Sequence, residues 1–559
     1  MINKPLSILS QLFLALLSAL LLWLSWYPYG FSLLSFLALV PLFIVSENIT
    51  QYAPKRHFLK GLGYSYITFC IWNVLTTWWI WNSTPVGAIL AMFLNAFFMS
   101  LVFGIWQWSK RFVKKVWLIP LFFISFWCSW EYLHLNWDIS WPWLNLGNLF
   151  APNSEWVQWY EFTGIFGGTI WILTANFLCL YFIKYLNVSK KKAITFSASL
   201  LAIIIIPIAL SLLIYTNYHI NTQNNDPINT VIIQQNTDPW EEEYSMSNTE
   251  QIARILQIAS PNIDNNTNLL VCPESAIPHN VAEIALLEHS YDAIMPSYFG
   301  FDILDSFLVI YPKLNIITGL STFNIYNSKV RPTARATGQP DRFVELYNTA
   351  ACIQPNFQYQ FYHKSKLVPG VEIMPYPKIF GFLEDLAIDL GGTSGSLGID
   401  SVQRPFSTMI NQKLIKIAAP VCYESIYGKL CGNFVKAGAQ VICVITNDAW
   451  WGDTPGYQQH FICSKLRAIE CRRTVLRAAN TGISAVINEK GDVIAKTNYN
   501  ERTSLKATVY PNDKLTFYVK YGDYLAKIAI LMMIACFIYL FEEIWSKFVI
   551  KKTNPIIKI

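Results

Sequence analysis

The stretch PVCYESIYG, Pro420 to Gly428, completes the apolar run KIAAPV and carries a cysteine at the point where that run ends. The run reads as a buried strand, and free cysteine often fills core space as a small hydrophobe. Tyr423 and Glu424 follow at once, however, and a carboxylate is a poor neighbour for a thiol that only packs. Cys422 is therefore a candidate nucleophile at a strand end.

Similar runs surround it. TVIIQQ (230–235), NLLVCPES (268–275), NIITGLS (315–321), LYNTAACI (346–353), LIKIAAPVC (414–422) and AQVICVIT (439–446) are short and rich in β-branched residues, as buried strands are. TVLRAANTGISAVINEKGDVIAKT (474–497) reads as paired strands joined at EKGD. TEQIARILQIA (249–259), capped by Asn248, and HFICSKLRAIECRR (460–473) have apolar residues at helical spacing. Strands alternating with helices predict an α/β sandwich.

The rest of the chain is of another kind. Of 559 residues, 53% are hydrophobic and 14% charged, against about 25% charged in soluble domains. Apolar runs near 7–27, 30–47, 61–82, 85–108, 116–134, 162–185, 195–217 and 521–546 each approach the roughly 20 residues that cross a bilayer as a helix. The reading is a polytopic α-helical membrane protein with eight transmembrane helices and one inserted α/β domain. Its parts are residues 1–221 with seven helices, an outer domain over 222–516, and the eighth helix with a tail over 517–559. The first span has no small-residue cleavage site after it and reads as a retained anchor.

Basic residues orient the chain. Lys4, then Lys55, Arg56 and Lys60, then Lys110, Arg111, Lys114 and Lys115, then Lys190 to Lys192 mark alternate connections, and Lys547, Lys551 and Lys552 close the chain. The positive-inside rule puts both termini in the cytoplasm and the large domain on the outer side of the membrane. The net charge of +6 thus belongs to topology and implies no nucleic acid. The connection 136–160, rich in Trp, reads as a headgroup belt and a mouth for lipid.

Four strand ends carry polar groups that packing does not require: Glu274 in CPES, Lys364 and Glu372 in YHKSKLVPGVE, Cys422 to Glu424 in CYES, and the segment TNDAWWG (446–452). A thiol nucleophile needs a base or a nearby positive charge. A desolvated carboxylate such as Glu274 moves a proton. A lysine lowers the thiol pKa and steadies an oxyanion. Together they suit attack on an ester or amide. Taken singly, Lys364 and Lys366 read as surface charges, Glu372 as a loop cap, Trp240 and Asn348 as packing and turn residues, and His460 as a helix-start residue. Seven cysteines lie in this domain: Cys272, Cys352, Cys422, Cys431, Cys443, Cys463 and Cys471. They form no metal-spaced motif, and Cys443 reads as core.

In order, PES at Glu274, KSKLVPGVE at Lys364 to Glu372, CYES at Cys422, TNDAWWG and LRAANTG resemble the nitrilase (carbon–nitrogen hydrolase) superfamily. The resemblance implies an αββα sandwich and a Glu–Lys–Cys triad of Glu274 (general base), Lys364 (oxyanion and thiolate stabiliser) and Cys422 (nucleophile). Eight helices around such a domain resemble the apolipoprotein N-acyltransferase family. That likeness implies a phospholipid acyl donor, a thioester intermediate and a diacylated apolipoprotein acceptor, with supporting roles for Glu372, Tyr423, Glu424, Trp240 and Asn348, no cofactor or metal, and action as a monomer. Two positions depart from the family pattern: LVPGVE stands for LVPFGE, and Cys272 for Trp. The apolar segment 373–390 reads either as a lid that dips into the headgroup region or as a segment that packs on the sandwich. A tethered amidase would use the same triad but gives no reason for eight spans. A transporter or sensor would place more charge within them.

Overall fold

The computed structural model describes residues 4–53, 55–220, 226–289, 300–376 and 396–553. Within lipid a chain satisfies its backbone by coiling into helices, and the apolar runs do so. Among the described residues, six helices are long and apolar enough to cross a membrane: Ser32–Tyr52, Pro85–Ser109, Leu118–Asn136, Ile165–Tyr185, Lys190–Asn217 and Tyr524–Lys547. Two of the eight expected spans fall outside that set. Ile8–Leu24 has 17 residues. His57–Thr77 carries polar groups that face other helices: the Thr68 hydroxyl donates to the Ala15 carbonyl at 2.9 Å, and Asn95 donates to Asn73 at 2.9 Å. Interhelical hydrogen bonds of this kind replace apolar surface where a helix is enclosed by others. Phe43, Trp106, Phe123 and Phe177 pack ring on ring at the centre of the bundle.

Between the helices Lys190–Asn217 and Tyr524–Thr553 the chain builds two sheets. The first holds β1 (Ile228–Gln234), β2 (Leu269–Val271), β3 (Ile277–Ala282), β4 (Asn315–Tyr326), β5 (Arg335–Ala336), β6 (Phe343–Gln354), β7 (Gln358–His363) and β14 (Thr503–Val509). The second holds β8 (Phe406–Ile410), β9 (Lys413–Ala418), β10 (Val441–Thr446), β11 (Val475–Ala479), β12 (Ala485–Ile487) and β13 (Val493–Lys496). The strand order is β14-β1-β2-β4-β6-β5 in one, with β3 beside β4 and β7 beside β6, and β13-β12-β11-β10-β9-β8 in the other. β1, β2 and β4 run parallel, as do β9, β10 and β11. Every residue of β10 is buried, as expected of a strand covered on both faces. Val271, Ile317, Ile417 and Cys443 join one core between the sheets. A second core packs Ile252, Ile255, Leu304 and Leu308 of the helices Asn248–Ala259 and Phe301–Ile310 against the outer face of the first sheet.

The elements differ from the sequence reading in three places. The cap of Asn248–Ala259 is Ser247, which forms a capping box with Glu250, and Asn248 is already helical. The second helix starts at Pro455 after the cap Thr454, so His460 lies inside it and is buried. β14 closes the first sheet by pairing antiparallel with β1 across the whole insertion, a contact with no local signal. All eleven cysteines are free thiols. Residues 377–395 lie outside the described residues, and with them most of the apolar segment 373–390.

The sandwich is bound to the helical frame by polar contacts. Arg472 pairs with Glu161 at 2.8 Å, Trp143 donates to Gln459 at 2.8 Å, Asn82 donates to the Trp451 carbonyl at 2.9 Å, and Lys465 donates to the Pro152 carbonyl at 2.8 Å.

Candidate active site

Parallel strands deliver their carboxyl ends to one edge, where loops collect functional groups. Glu274 follows β2, Lys364 follows β7, Cys422 follows β9 and Asn447 follows β10. At Cys422 the backbone turns with φ +50°, a left-handed conformation uncommon outside glycine. Such strain persists only where the surroundings over-determine it. Here the buried carboxylate of Glu424 does so. Its Oε1 accepts hydrogen bonds from the Ser365 N–H (2.7 Å), the Ser365 hydroxyl (2.7 Å), the Tyr362 hydroxyl (2.7 Å) and the Lys366 N–H (3.2 Å). Its Oε2 accepts from the Val421 N–H at 2.8 Å. One side chain thus ties the Cys422 turn to the loop that carries Lys364.

Lys364, fully buried, donates to Glu274 Oε1 at 3.1 Å and to Glu372 Oε1 at 2.8 Å. Asn348 donates to the same two oxygens at 2.8 and 3.0 Å. Glu274 Oε2 accepts the Asn447 N–H at 3.0 Å, and Glu372 Oε2 accepts the Val368 N–H at 2.7 Å. Burial works against the charge on Lys364, but the carboxylates of Glu274 and Glu372 outweigh it and hold the ammonium well above its ordinary range. For Cys422, burial first and then the charge of Glu274 push the thiol far up, against the opposing pull of Lys364. Lys364 lowers the thiol pKa, as the sequence reading expects, but burial and Glu274 outweigh it. The balance favours the protonated thiol at Cys422.

Behind the turn lies a second buried network. Asp448 accepts from Thr446 at 2.9 Å and from Arg477 at 2.6 Å, and contacts His460 Nδ1 at 2.8 Å. His460 Nε2 reaches the Ser425 hydroxyl at 2.9 Å and the Cys422 carbonyl at 3.2 Å. Burial, then Arg477, lower the pKa of His460, while Arg477 and His460 overcome burial to keep Asp448 ionised. The network braces the turn from below.

The membrane side is aromatic. The Tyr423 hydroxyl donates to the Ser140 carbonyl at 2.7 Å, and the Tyr427 hydroxyl donates to Ser140 Oγ at 3.0 Å. Trp141 stacks near Tyr423, and Trp143 lies between Trp141, Trp79 and Trp451. The Cys422 turn is therefore seated on the Trp-rich connection between two membrane helices.

Residues 231–513 match the carbon-nitrogen hydrolase family, and residues 18–178 match the apolipoprotein N-acyltransferase N-terminal domain. The chain belongs to the apolipoprotein N-acyltransferase branch of the carbon–nitrogen hydrolase family. It is 29% identical to an apolipoprotein N-acyltransferase of Chlorobaculum tepidum over 524 residues, covering 91% of this chain and 93% of that relative. It is 25% identical to apolipoprotein N-acyltransferase 2 of Treponema denticola, covering 90% and 92%. Among solved structures, Saccharomyces cerevisiae Nit3, a member of the nitrilase superfamily, aligns over 51% of this chain and 90% of its own at 14% identity and a TM-score of 0.34.

Within this family frame, Glu274, Lys364, Glu372 and Asn348 meet in one hydrogen-bonded cluster, and Lys364 lies within electrostatic reach of Cys422. Trp240 does not join them: it is 63% exposed and packs edge-on against Trp450. Glu243, three residues on, does come close and was missed. It is buried, accepts from Asn447 Nδ2 at 3.0 Å, and burial with the charge of Glu274 raises it to about 8. Within the run WEEEY it looks like a solvated acid, so no local signal marks it.

Proposed function

We propose that the protein transfers an acyl chain from a membrane phospholipid to the α-amine of the N-terminal diacylglyceryl-cysteine of apolipoproteins, the last step of lipoprotein maturation. The observation that carries this reading is the seating of the Cys422 turn, with its Glu274–Lys364 cluster, directly on the tryptophan-lined connection of the helical frame. A nucleophile held there draws an ester sideways out of a leaflet.

In the first half-reaction the Cys422 sulfur attacks the donor ester carbonyl while Glu274 takes the thiol proton. Lys364 steadies the oxyanion. Collapse expels the lysophospholipid alkoxide, which leaves with the proton from Glu274, and a thioester remains on Cys422. In the second half-reaction the neutral α-amine attacks that thioester, Glu274 receives the amine proton, and the departing sulfur takes it back. Glu372 and Asn348 hold Lys364 and Glu274 in register, and Tyr423 and Glu424 hold the turn.

The topology that suits this chemistry has eight spans, both termini in the cytoplasm, and a periplasmic domain over 222–516 in the inner membrane, between residues 1–221 and 517–559. The protein acts as a monomer. The test is intact mass spectrometry of the purified protein with phospholipid and no acceptor. A gain of one acyl chain on Cys422, discharged by a diacylated lipopeptide, is the expected result. Turnover of a small amide by active protein that forms no such adduct would overturn the reading.

A further inference from the structure

Next to the Lys364 loop a cleft of about 280 Å³ opens between the sandwich and the helical frame. Leu135 and Asn136 line it from the end of Leu118–Asn136, Ile165 from the start of Ile165–Tyr185, and Asp523 from just before Tyr524–Thr553. A cleft bounded by three membrane-helix ends lies at the depth where lipid headgroups sit. Its other wall is catalytic: Ser365 and Lys366 directly follow Lys364, and Tyr427 and Gly428 close the nucleophile turn.

The charges in this cleft are unevenly satisfied. Asp400 is held by His363 at 3.2 Å, and Asp523 accepts the Tyr518 hydroxyl at 2.7 Å. Lys366 is half-buried, and its ammonium lies 5.3 Å from the centroid of the Tyr427 ring. Among the described residues no carboxylate comes within ion-pair distance of it or of the exposed Lys429, a second lysine of the same cleft. Desolvating an ammonium without a close ion-pair partner is costly, and burial pulls the pKa of Lys366 down, outweighing the more distant charge of Asp138. The backbone adds to this asymmetry: the helix Gly428–Lys436 opens into the cleft with no side-chain cap and no acid in its first turn.

We infer that this cleft is the subsite for the phosphodiester of the acyl donor, with Lys366 and Lys429 as its cationic ligands. The inference rests on the acyl-transfer reading above and names where the donor's headgroup sits. A phosphodiester supplies the missing negative charge and oxygen acceptors. Holding it two residues from Lys364 leaves the glycerol ester to extend toward Cys422. The acceptor's diacylglyceryl group carries no phosphate, so the subsite serves loading of the enzyme and not its discharge. Lys366 is in this sense a specificity-determining residue.

The test compares two donors on full-length protein in nanodiscs: a phospholipid, and a p-nitrophenyl acyl ester that lacks phosphate. Cys422 loading is followed by mass. In Lys366→Met the ratio of kcat/KM for phospholipid to that for the phosphate-free ester should fall about tenfold or more, chiefly through KM, with Lys366→Arg recovering most of it. Lys429→Met, at an exposed position away from the triad, should lower the ratio in the same direction. An unchanged ratio in both Met variants would overturn the subsite while leaving the function intact. Wild-type protein that is loaded by the ester but never by phospholipid would remove the acyl-transfer reading, and the subsite with it.

Discussion

Replacing Lys364 with methionine removes the ammonium that Glu274 and Glu372 share while nearly preserving side-chain length. In the intact protein that ammonium lies 3.1 Å from one carboxylate and 2.8 Å from the other, and all three groups are buried. After the substitution the two carboxylates have only the Asn348 amide between them, at 2.8 and 3.0 Å. Two buried like charges at that separation cannot both stay ionised, so one takes a proton at neutral pH. Removing one partner of a buried pair costs about 3–5 kcal/mol of stability. Losing the group proposed to meet the developing oxyanion should cost a further factor of about 10² to 10³ in rate. The expected outcome is a lower urea midpoint and Cys422 loading slowed at least about 10²-fold at pH 7, followed by intact mass in phospholipid nanodiscs. The double variant Lys364→Met/Glu372→Gln separates the two effects. It removes the orphaned charge and should recover a large part of the lost stability, but none of the rate. Loading within tenfold of wild type in the single variant, or a double variant no more stable than the single, would refute this account of the cluster.

Other residues give independent tests. Burial opposes a charge on His363, but Asp400 and Glu283, to which it donates, raise its pKa to about 9. Because the unfolded value is about 6.5, its contribution to stability is fully present below about pH 6.5 and is lost as the pH rises toward 9. His363→Gln should flatten the stability profile across that window in thermal melts. Glu243 behaves as a buried acid whose pKa is raised from about 4.3 in the unfolded chain to about 8. Its presence therefore makes stability fall with rising pH between those values, and Glu243→Gln should remove that slope while leaving stability at pH 4 unchanged. Asp448→Asn strips Arg477 of its buried counter-ion at 2.6 Å and should cost about 3–5 kcal/mol by urea titration. Tyr423→Phe removes one hydrogen bond to the Ser140 carbonyl and should cost about 1 kcal/mol. A cost above about 3 kcal/mol would mean that Tyr423 anchors more than that contact.

The sequence by itself determined a great deal where the signal is local. Apolar runs of about twenty residues become helices because the backbone has no other way to satisfy itself in lipid. β10 could be read from VICVIT because a strand buried on both faces has no polar residue to spare. Glu274, Lys364, Glu372 and Cys422 stood out because each puts a polar group at the end of an apolar run, where packing gives no reason for one. Signals that depended on context misled. His460 resembles a helix start, yet the helix opens a turn earlier at Thr454 and Pro455, and Trp240, which the resemblance places at the site, lies exposed against Trp450.

Only the tertiary structure decided which groups meet. Lys364 and Glu274 are 90 residues apart in the chain, Tyr423 and Ser140 are 283 apart, and β14 must cross the whole insertion to pair with β1. The same holds for protonation. Glu243, Glu424 and Asp448 are all acidic residues near strand ends or turns, yet one is lifted to about 8, one is fixed by five donors and one is held ionised by Arg477. Residue type sets a side chain's ordinary chemistry. Burial and the charges brought beside it set the chemistry it has in the fold, because both act through space and neither is written in the neighbouring sequence.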